Sequence, residues 1–262
     1  MTMPLPEMLR AYDAVALIAN SESVVIDEIV AALPARTLYV FFTGCAKVLN
    51  GPFPHDAILC HRLVAGGTRF LKSQKHFDRA HSFFPQGLKA EVGLLAERGA
   101  ASDAVTRQAP RASALVAETI DFDHVFAGFY PEGRMPTTGF ALALWLIEAM
   151  PQARIYLCGF TGVAGAQFNM YVEHDWTFEQ TLLSLFEQSG RLSRLGQGAG
   201  LSTDSFARIH SRFPEFGEGK IALAAAQSLA NRFTGMERQM AKLWAMTKMR
   251  RNIRAFFKRI FK

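Results

Sequence analysis

The sequence has few cysteines and no long apolar run, and both absences exclude classes of protein. Only three of the 262 residues are cysteine, and their spacing fits neither a zinc site nor a disulfide framework. We therefore expect Cys45, Cys60 and Cys158 to be reduced core thiols. No stretch reaches the roughly 18 apolar residues that span a bilayer, and three charged residues interrupt the first thirteen, where a signal peptide needs an apolar run. These features predict a cytoplasmic protein.

Common cofactor motifs are also absent. The sequence contains no Gly-x-Gly-x-x-Gly and no Gly-x-x-x-x-Gly-Lys-Ser/Thr, the glycine-rich turns that bind dinucleotides and nucleoside triphosphates. It contains no His-Glu-x-x-His and no Cys-x-x-Cys, the spacings typical of zinc sites. We therefore expect neither a dinucleotide cofactor nor a bound catalytic metal.

The net charge of +6 is concentrated at the carboxyl end. Residues 237–262 hold nine Lys and Arg against one acid, whereas residues 1–236 hold twenty against twenty-two. The spacing of the apolar residues in this tail, mostly three and four, predicts a basic amphipathic helix over residues 236–262. Its apolar members are Met236, Met240, Leu243, Trp244, Met249, Ile253, Phe256, Phe257 and Ile260.

Such a helix binds anionic membrane surfaces through apolar burial and positive charge together. We therefore expect peripheral attachment to the inner face of the cytoplasmic membrane through residues 236–262. The alternatives are packing of this helix on its own domain or on a second subunit, and nonspecific binding to nucleic acid. We expect no specific nucleic-acid partner.

Strand-like and helix-like segments alternate in residues 1–235, which we interpret as one domain. This alternation predicts an α/β fold, a Rossmann-like and mainly parallel sheet with helices on both faces. In such folds the site forms at the carboxyl ends of the strands. The predicted strands are residues 37–44, 56–62, 81–85, 123–128 and 153–159, and the predicted helices include residues 5–20, 23–33, 87–98 and 140–150.

Three segments combine turns with chemically useful side chains. Pro136-Thr137-Thr138-Gly139 opens an apolar helix whose first amides can bind an anion, and a strand ending at Gly159 follows. His174 comes just before a helix that Asp175 or Thr177 could cap, where a neutral imidazole can take a proton from a hydroxyl. The alternative is that His174 is only a polar residue of the capping loop.

The third segment lies at the ends of the first two predicted strands. Gly44 and Cys45 follow one strand, and His61 and Arg62 end the other, so we expect all four along one rim. Backbone amides beside a cation suit a nucleotide phosphate. A tight turn with surface charges is the alternative interpretation.

Together these segments resemble the sialyltransferases, both the animal type and the bacterial lipooligosaccharide family, which use CMP-sialic acid. Residues 136–160 are similar to the short sialyl motif, in which a Pro-Ser/Thr-Thr-Gly turn, a helix and a strand ending in glycine follow in order. His174 and Glu179 match the very short motif, His-x-x-x-x-Glu. Residues 37–62 occupy the place of the long motif, where Cys45 and His61 or Arg62 stand at the positions of its asparagines.

The resemblance implies an inverting, metal-independent glycosyltransferase with a GT-A-variant-like fold. It would move sialic acid or Kdo from a CMP donor to a hydroxyl of a cell-surface glycan or lipopolysaccharide. His174 would be the general base, with Glu179 supporting it. The implied donor-binding residues are Gly44, Cys45, His61, Arg62, Pro136, Thr137, Thr138, Gly139, Gly159, Phe160 and Tyr171.

Two alternatives stay open at this point. The first is a membrane-associated, non-catalytic nucleotide-binding or scaffold protein on the same fold. The second is an S-adenosylmethionine methyltransferase, which also uses a parallel sheet with a glycine after its first strand. The weakened long motif is the best support for the scaffold alternative, whereas the methyltransferase alternative does not account for the Pro-Thr-Thr-Gly and His-x-x-x-x-Glu pair.

Overall fold

The computed structural model divides the chain into two compact units, Met1–Gly198 and Ala199–Lys262. This division comes earlier in the chain than the boundary expected at residue 235. In the second unit the described residues include a helical segment over 218–227. The amphipathic helix expected over residues 236–262 lies outside the described residues. The structure describes residues 5–63, 73–95, 118–121, 126, 129–162, 173–195, 215, 217–227, 229–230 and 233.

Seven strands of the first unit form one sheet in which every described pair is parallel. The strands are β1 (Ala14–Ile18), β2 (Thr37–Phe42), β3 (Ala57–Leu63), β4 (Ala90–Leu95), β5 (Glu118–Asp121), β6 (Arg154–Cys158) and β7 (Ser193–Leu195). Their order across the sheet is β5-β4-β3-β2-β1-β6-β7. The predicted Rossmann-like parallel sheet is thus confirmed.

Helices cover both faces of this sheet, as a parallel sheet requires. The described helices are α1 (Leu5–Leu9), α2 (Ile26–Ala32), α3 (Gln74–His81), α4 (Thr138–Ala149) and α5 (Trp176–Gln188), with a 3-10 turn at Cys45–Lys47. One apolar cluster contains residues of α1, α4 and α5, and a second contains residues of α2, the 3-10 turn and α3. Seven of the twelve residues of α4 are buried, a larger share than in any other described helix.

The order of the strands reverses beside β1. From β1 the chain builds β2 to β5 toward one edge, then returns to place β6 on the other side of β1, with Ile18 opposite Cys158. The connections that leave β1 and β6 therefore diverge to opposite faces. In doubly wound sheets the crevice at this reversal, at the carboxyl ends of the strands, is the usual ligand site.

Three of the predicted elements are wrong. Residues 5–20 are not one helix, because α1 ends at Leu9 and β1 is the central strand, with all five residues buried. A wholly apolar run of this length carries no period that separates helix from strand. Residues 87–98, which are predicted to form a helix, instead contain the strand β4. His81 ends α3, so residues 81–85 do not form a strand.

Of the strand predicted over residues 123–128, only Phe126 is described, and it is helical. The other residues of that prediction lie outside the described part of the chain. The expected core thiols are confirmed, because Cys45, Cys60 and Cys158 are all buried and free.

Candidate functional site

Two helices begin side by side at the carboxyl edge of the sheet. Thr137 is the N-cap of α4, and its hydroxyl accepts a hydrogen bond from the amide of Phe140 at 3.2 Å. Asp175 is the N-cap of α5, and its carboxylate accepts one from the amide of Phe178 at 2.9 Å. Both predicted helix starts are confirmed, and Asp175 rather than Thr177 provides the second cap. Each start presents the positive end of a helix dipole.

Glu179 joins the two helix starts. Its carboxylate accepts hydrogen bonds from the amide of Thr137 at 2.7 Å, from the hydroxyl of Thr137 at 2.6 Å, and from the hydroxyl of Tyr130 at 2.8 Å. Glu179 is only 1% exposed. Burial raises the pKa of Glu179, although these hydrogen bonds and the charge of Arg62 act against that shift. Glu179 therefore acts as a clamp that fixes α5 to the turn before α4.

His174 lies against the same turn. Its Nδ1 is 2.7 Å from the backbone carbonyl of Met135, and because a carbonyl can only accept, Nδ1 must carry a proton. Burial and the charge of Arg62 lower the pKa of His174, outweighing the carbonyl bond and Glu173, which raise it. The half-buried imidazole is therefore neutral at pH 7, with its lone pair on Nε2.

Arg62 reaches the turn from the end of β3. Its guanidinium donates from Nη1 to the carbonyl of Pro136 at 2.9 Å and to the hydroxyl of Thr138 at 3.4 Å. The imidazole of His174 and the guanidinium of Arg62 are thus bonded to consecutive backbone carbonyls. A neutral base and a cation flank the same helix start, an arrangement suited to an anionic ligand that reacts with a hydroxyl.

Two glycines of the predicted site allow close packing. A Cβ on Gly139 would lie 2.4 Å from the ring of Phe160, so that ring can pack directly on residue 139 only because it is glycine. Gly159 has φ +77°, and a Cβ there would lie 2.4 Å from Val24 in the connection after β1. The loops that follow β1 and β6 are therefore in direct contact at the strand reversal.

Asn20, two residues after β1, was not among the predicted site residues. A Cβ on Gly44 would lie 2.6 Å from the Asn20 side-chain nitrogen, so the loops after β1 and β2 also meet. The Asn20 oxygen Oδ1 is buried and accepts no hydrogen bond from the part of the chain that the structure describes. Such a group costs about 1–3 kcal/mol, which a donor on a ligand would recover. The polar Asn20-Ser21 pair directly after an apolar run was the available signal.

The structure places the side chains of two of the predicted contact residues in the interior. Cys45 is fully buried in the 3-10 turn, and burial raises the pKa of its thiol to about 12. His61 is also fully buried, on the face of the sheet opposite to that of Arg62. Because consecutive residues of a strand point to opposite faces, the side chains of His61 and Arg62 do not lie side by side. Tyr171 lies outside the described residues.

One acidic motif lies apart from this crevice. Asp121, Phe122 and Asp123 form an Asp-x-Asp, a pattern of carboxylates that can bind a divalent cation. Asp121 is exposed at the end of β5, the edge strand, and the other two lie outside the described residues. Four strand spacings separate β5 from β1, about 19 Å at about 4.8 Å each. Asp121 is therefore not part of the β1–β6 crevice.

No protein-family model matches this chain, and neither a curated protein nor a solved structure matches it. Within the described ranges, no helix has the length and apolar character needed to cross a membrane. The chain itself defines an α/β protein with a doubly wound parallel sheet. The carboxyl edge of that sheet carries a cation, a neutral imidazole and two helix N-termini.

Proposed function

We propose that this protein is an inverting glycosyltransferase that moves a sugar acid, sialic acid or Kdo, from its CMP donor to a hydroxyl of a glycan or lipopolysaccharide acceptor. The observation that carries the proposal is the bonding of His174 and Arg62 to the consecutive carbonyls of Met135 and Pro136. A proton acceptor and a cation, the two groups that this reaction requires, then lie beside one helix start.

The phosphate and carboxylate of the donor would bind at the start of α4. The amides of Thr138 and Gly139 lie in the first turn, where an α-helix provides no internal acceptor for them. Arg62 adds a full positive charge beside these amides. Because the leaving group of a CMP-sugar is a phosphate monoester, stabilising its developing charge is the main electrostatic task. This chemistry includes no pyrophosphate, so we propose a reaction without a divalent cation.

The cytidine would bind in the crevice at the strand reversal. Asn20 provides a buried oxygen that a ribose hydroxyl or the cytosine amino group can satisfy. The close packing of Gly44 on Asn20, and of Gly159 on Val24, brings the loops after β1, β2 and β6 together at the strand reversal.

The transfer step then needs one base. Nε2 of His174 takes the proton of the acceptor hydroxyl as its oxygen forms a bond to the anomeric carbon of the donor. The bond from that carbon to the phosphate oxygen breaks, and CMP departs with both bonding electrons. Attack from the face opposite the leaving phosphate inverts the anomeric centre. Glu179 contributes indirectly, because it holds the loop before α5 against the turn before α4.

The test is to incubate the purified full chain separately with CMP-sialic acid and CMP-Kdo, each with a lipooligosaccharide acceptor, and to measure CMP release and product mass. We expect acceptor-dependent CMP release from one of the two donors. His55→Ala provides the matched control, because His55 is an exposed histidine just before β3, at the opposite edge of the sheet. Absence of transfer from both donors to a panel of such acceptors would refute the proposal.

A further inference from the structure

A buried charged cluster lies on the face of the sheet opposite α4. Glu91 of β4 accepts hydrogen bonds from Nε2 of His61 at 2.5 Å and from Nε2 of His81 at 2.6 Å. The side chains of His61, Glu91 and His81 are 0%, 8% and 30% exposed, so only His81 reaches solvent to any extent. In the described part of the chain, no group of His, Cys, Asp and Glu is arranged to hold a metal ion. The proposed transfer step uses none of these three side chains.

The carboxylate of this cluster is held in its charged form. Burial alone would raise the pKa of Glu91, but the hydrogen bonds from His61 and His81 outweigh burial and lower it to about 2. The bond to Glu91 raises the pKa of His81 in turn, against the effect of burial. A buried carboxylate is costly unless it is paired, so two imidazole donors on one carboxylate make a tightly coupled unit.

The cluster is connected to the candidate site through two strand ends. The hydroxyl oxygen of Thr43 lies 3.2 Å from Nδ1 of His61 and 3.2 Å from the carbonyl of Cys60, and its single proton can be donated to only one of them at a time. Thr43 directly precedes Gly44, which contacts Asn20. On the other face of β3, the residue after His61 is Arg62, which holds the turn before α4. Fixing His61 therefore fixes the ends of both β2 and β3.

We propose that Glu91 is a positioning residue for the candidate nucleotide site, holding His61 so that Gly44 and Arg62 meet the ligand, and that His81 makes this positioning sensitive to pH. This inference rests on the proposed function, because it names residues that act through the CMP-binding groups. Its basis is the continuous hydrogen-bonded path from His81 through Glu91 and His61 to Thr43.

The direction of the pH effect follows from the environment of His81. The groups that act on it in the described residues are Glu91 from β4, and the Phe77 carbonyl and Asp78 from its own helix. The pKa of His81 is raised in the folded state. The stabilisation that its protonated ring gives through Glu91 is therefore complete below about pH 6.5, and it is lost as pH rises through the raised pKa. Binding of CMP should therefore weaken on the alkaline side.

The experiment measures the dissociation constant of CMP by calorimetry from about pH 5.5 to about pH 9, the range in which histidines titrate. The proteins are the full-length wild type, Glu91→Gln and His81→Gln. His76→Gln is the matched control, because His76 lies on α3 and bonds to Ser73 rather than to Glu91. We expect Glu91→Gln to weaken CMP binding by about tenfold. We expect His81→Gln to remove the alkaline decline, and His76→Gln to behave as the wild type.

The outcomes separate this proposal from the proposed function. Unchanged affinity and an unchanged pH profile in both Glu91→Gln and His81→Gln would overturn the positioning role, while wild-type CMP binding would still support a nucleotide site. No CMP binding by the wild type at any pH would overturn both. If Glu91→Gln does not fold, the pH profile of His81→Gln decides the question by itself. His81 is the most exposed member of the cluster, so its substitution should leave the fold intact.

Discussion

The carboxylate of Glu179, in the first turn of α5, accepts hydrogen bonds from both the amide and the hydroxyl of Thr137, the N-cap of α4. Two helix starts that are 38 residues apart in sequence, Thr138 and Trp176, are thereby fixed to each other. The relationship explains why the segment containing His174 lies beside the segment contacted by Arg62. It also makes Glu179 the residue whose loss should disturb the site most without removing a reacting group.

Glu179→Ala should destabilise the protein by about 3 kcal/mol, because it leaves the amide of Thr137 and the buried hydroxyl of Tyr130 without their acceptor. Urea unfolding followed by circular dichroism measures this loss. Gln188→Ala is the control on the same helix, since Gln188 is exposed and its loss should matter by less than about 0.5 kcal/mol. Equal losses in the two variants would show that Glu179 does not clamp the helices.

His174→Ala should lower the turnover number by roughly two to four orders of magnitude, the usual effect of losing a general base. The fold should stay intact, because His174 is a half-buried residue of a loop and does not belong to the buried core. The measurement is CMP release with saturating donor and acceptor, with His55→Ala as the matched control. Near wild-type turnover in His174→Ala would rule out its assignment as the base.

The pH dependence of the reaction should show an acid limb below pH 6.5. Burial and the charge of Arg62 lower the pKa of His174, and only the unprotonated ring can take a proton, so kcat/KM should rise with pH through that lowered value. Arg62→Ala should move the limb to higher pH, because it removes a nearby positive charge. A wild-type midpoint above about pH 7 would disagree with this account.

CMP should raise the thermal stability of the protein, since a ligand at about 100 times its dissociation constant stabilises by about 2.7 kcal/mol. Arg62→Ala should weaken CMP binding roughly ten- to hundredfold, the range for losing a charged hydrogen bond. The comparison is differential scanning fluorimetry over a CMP titration. Arg36→Ala, which removes a largely exposed arginine just before β2, should bind as the wild type does.

Deletion of residues 249–262 should release the protein from anionic vesicles. This segment carries six Lys and Arg, each of which contributes about 1 kcal/mol near an anionic surface. Co-sedimentation with phosphatidylserine vesicles, and with neutral vesicles as the control, measures the effect. Transfer to a soluble acceptor should persist in the truncated protein. If vesicle binding does not change, residues 249–262 are not the anchor.

Sequence reasoning performed best where local chemistry decides the structure. The start of α4 follows from a threonine cap before a largely apolar helix, and the start of α5 follows from Asp175 and Thr177, two possible caps before an amphipathic helix. Both N-cap signals depend on a few adjacent residues, so the predicted helix starts do not depend on the tertiary context. The parallel sheet also follows, because apolar runs such as Thr37–Phe42 are typical of strands buried on both faces.

The rest depended on tertiary context. Ala14–Ile18 is apolar throughout, so no period distinguishes it from the end of a helix. With this segment predicted as a helix, Asn20 does not follow the end of a strand and is not identified as a site residue. Glu91 lies in a segment that was predicted as a helix, so its pairing with β3 could not be anticipated. His61 and Arg62 both lie at the carboxyl end of β3, but the strand period of two puts their side chains on opposite faces of the sheet.

Met135 and Pro136 are joined by one peptide bond, and their carbonyls hold the imidazole of His174 and the guanidinium of Arg62. A displacement of this peptide during opening or closing of the crevice would carry both side chains in the same direction. The proton acceptor and the cation would then keep their spacing while their distance to the loops after β1 and β2 changed. Substrate entry and product departure could occur without dismantling the pair.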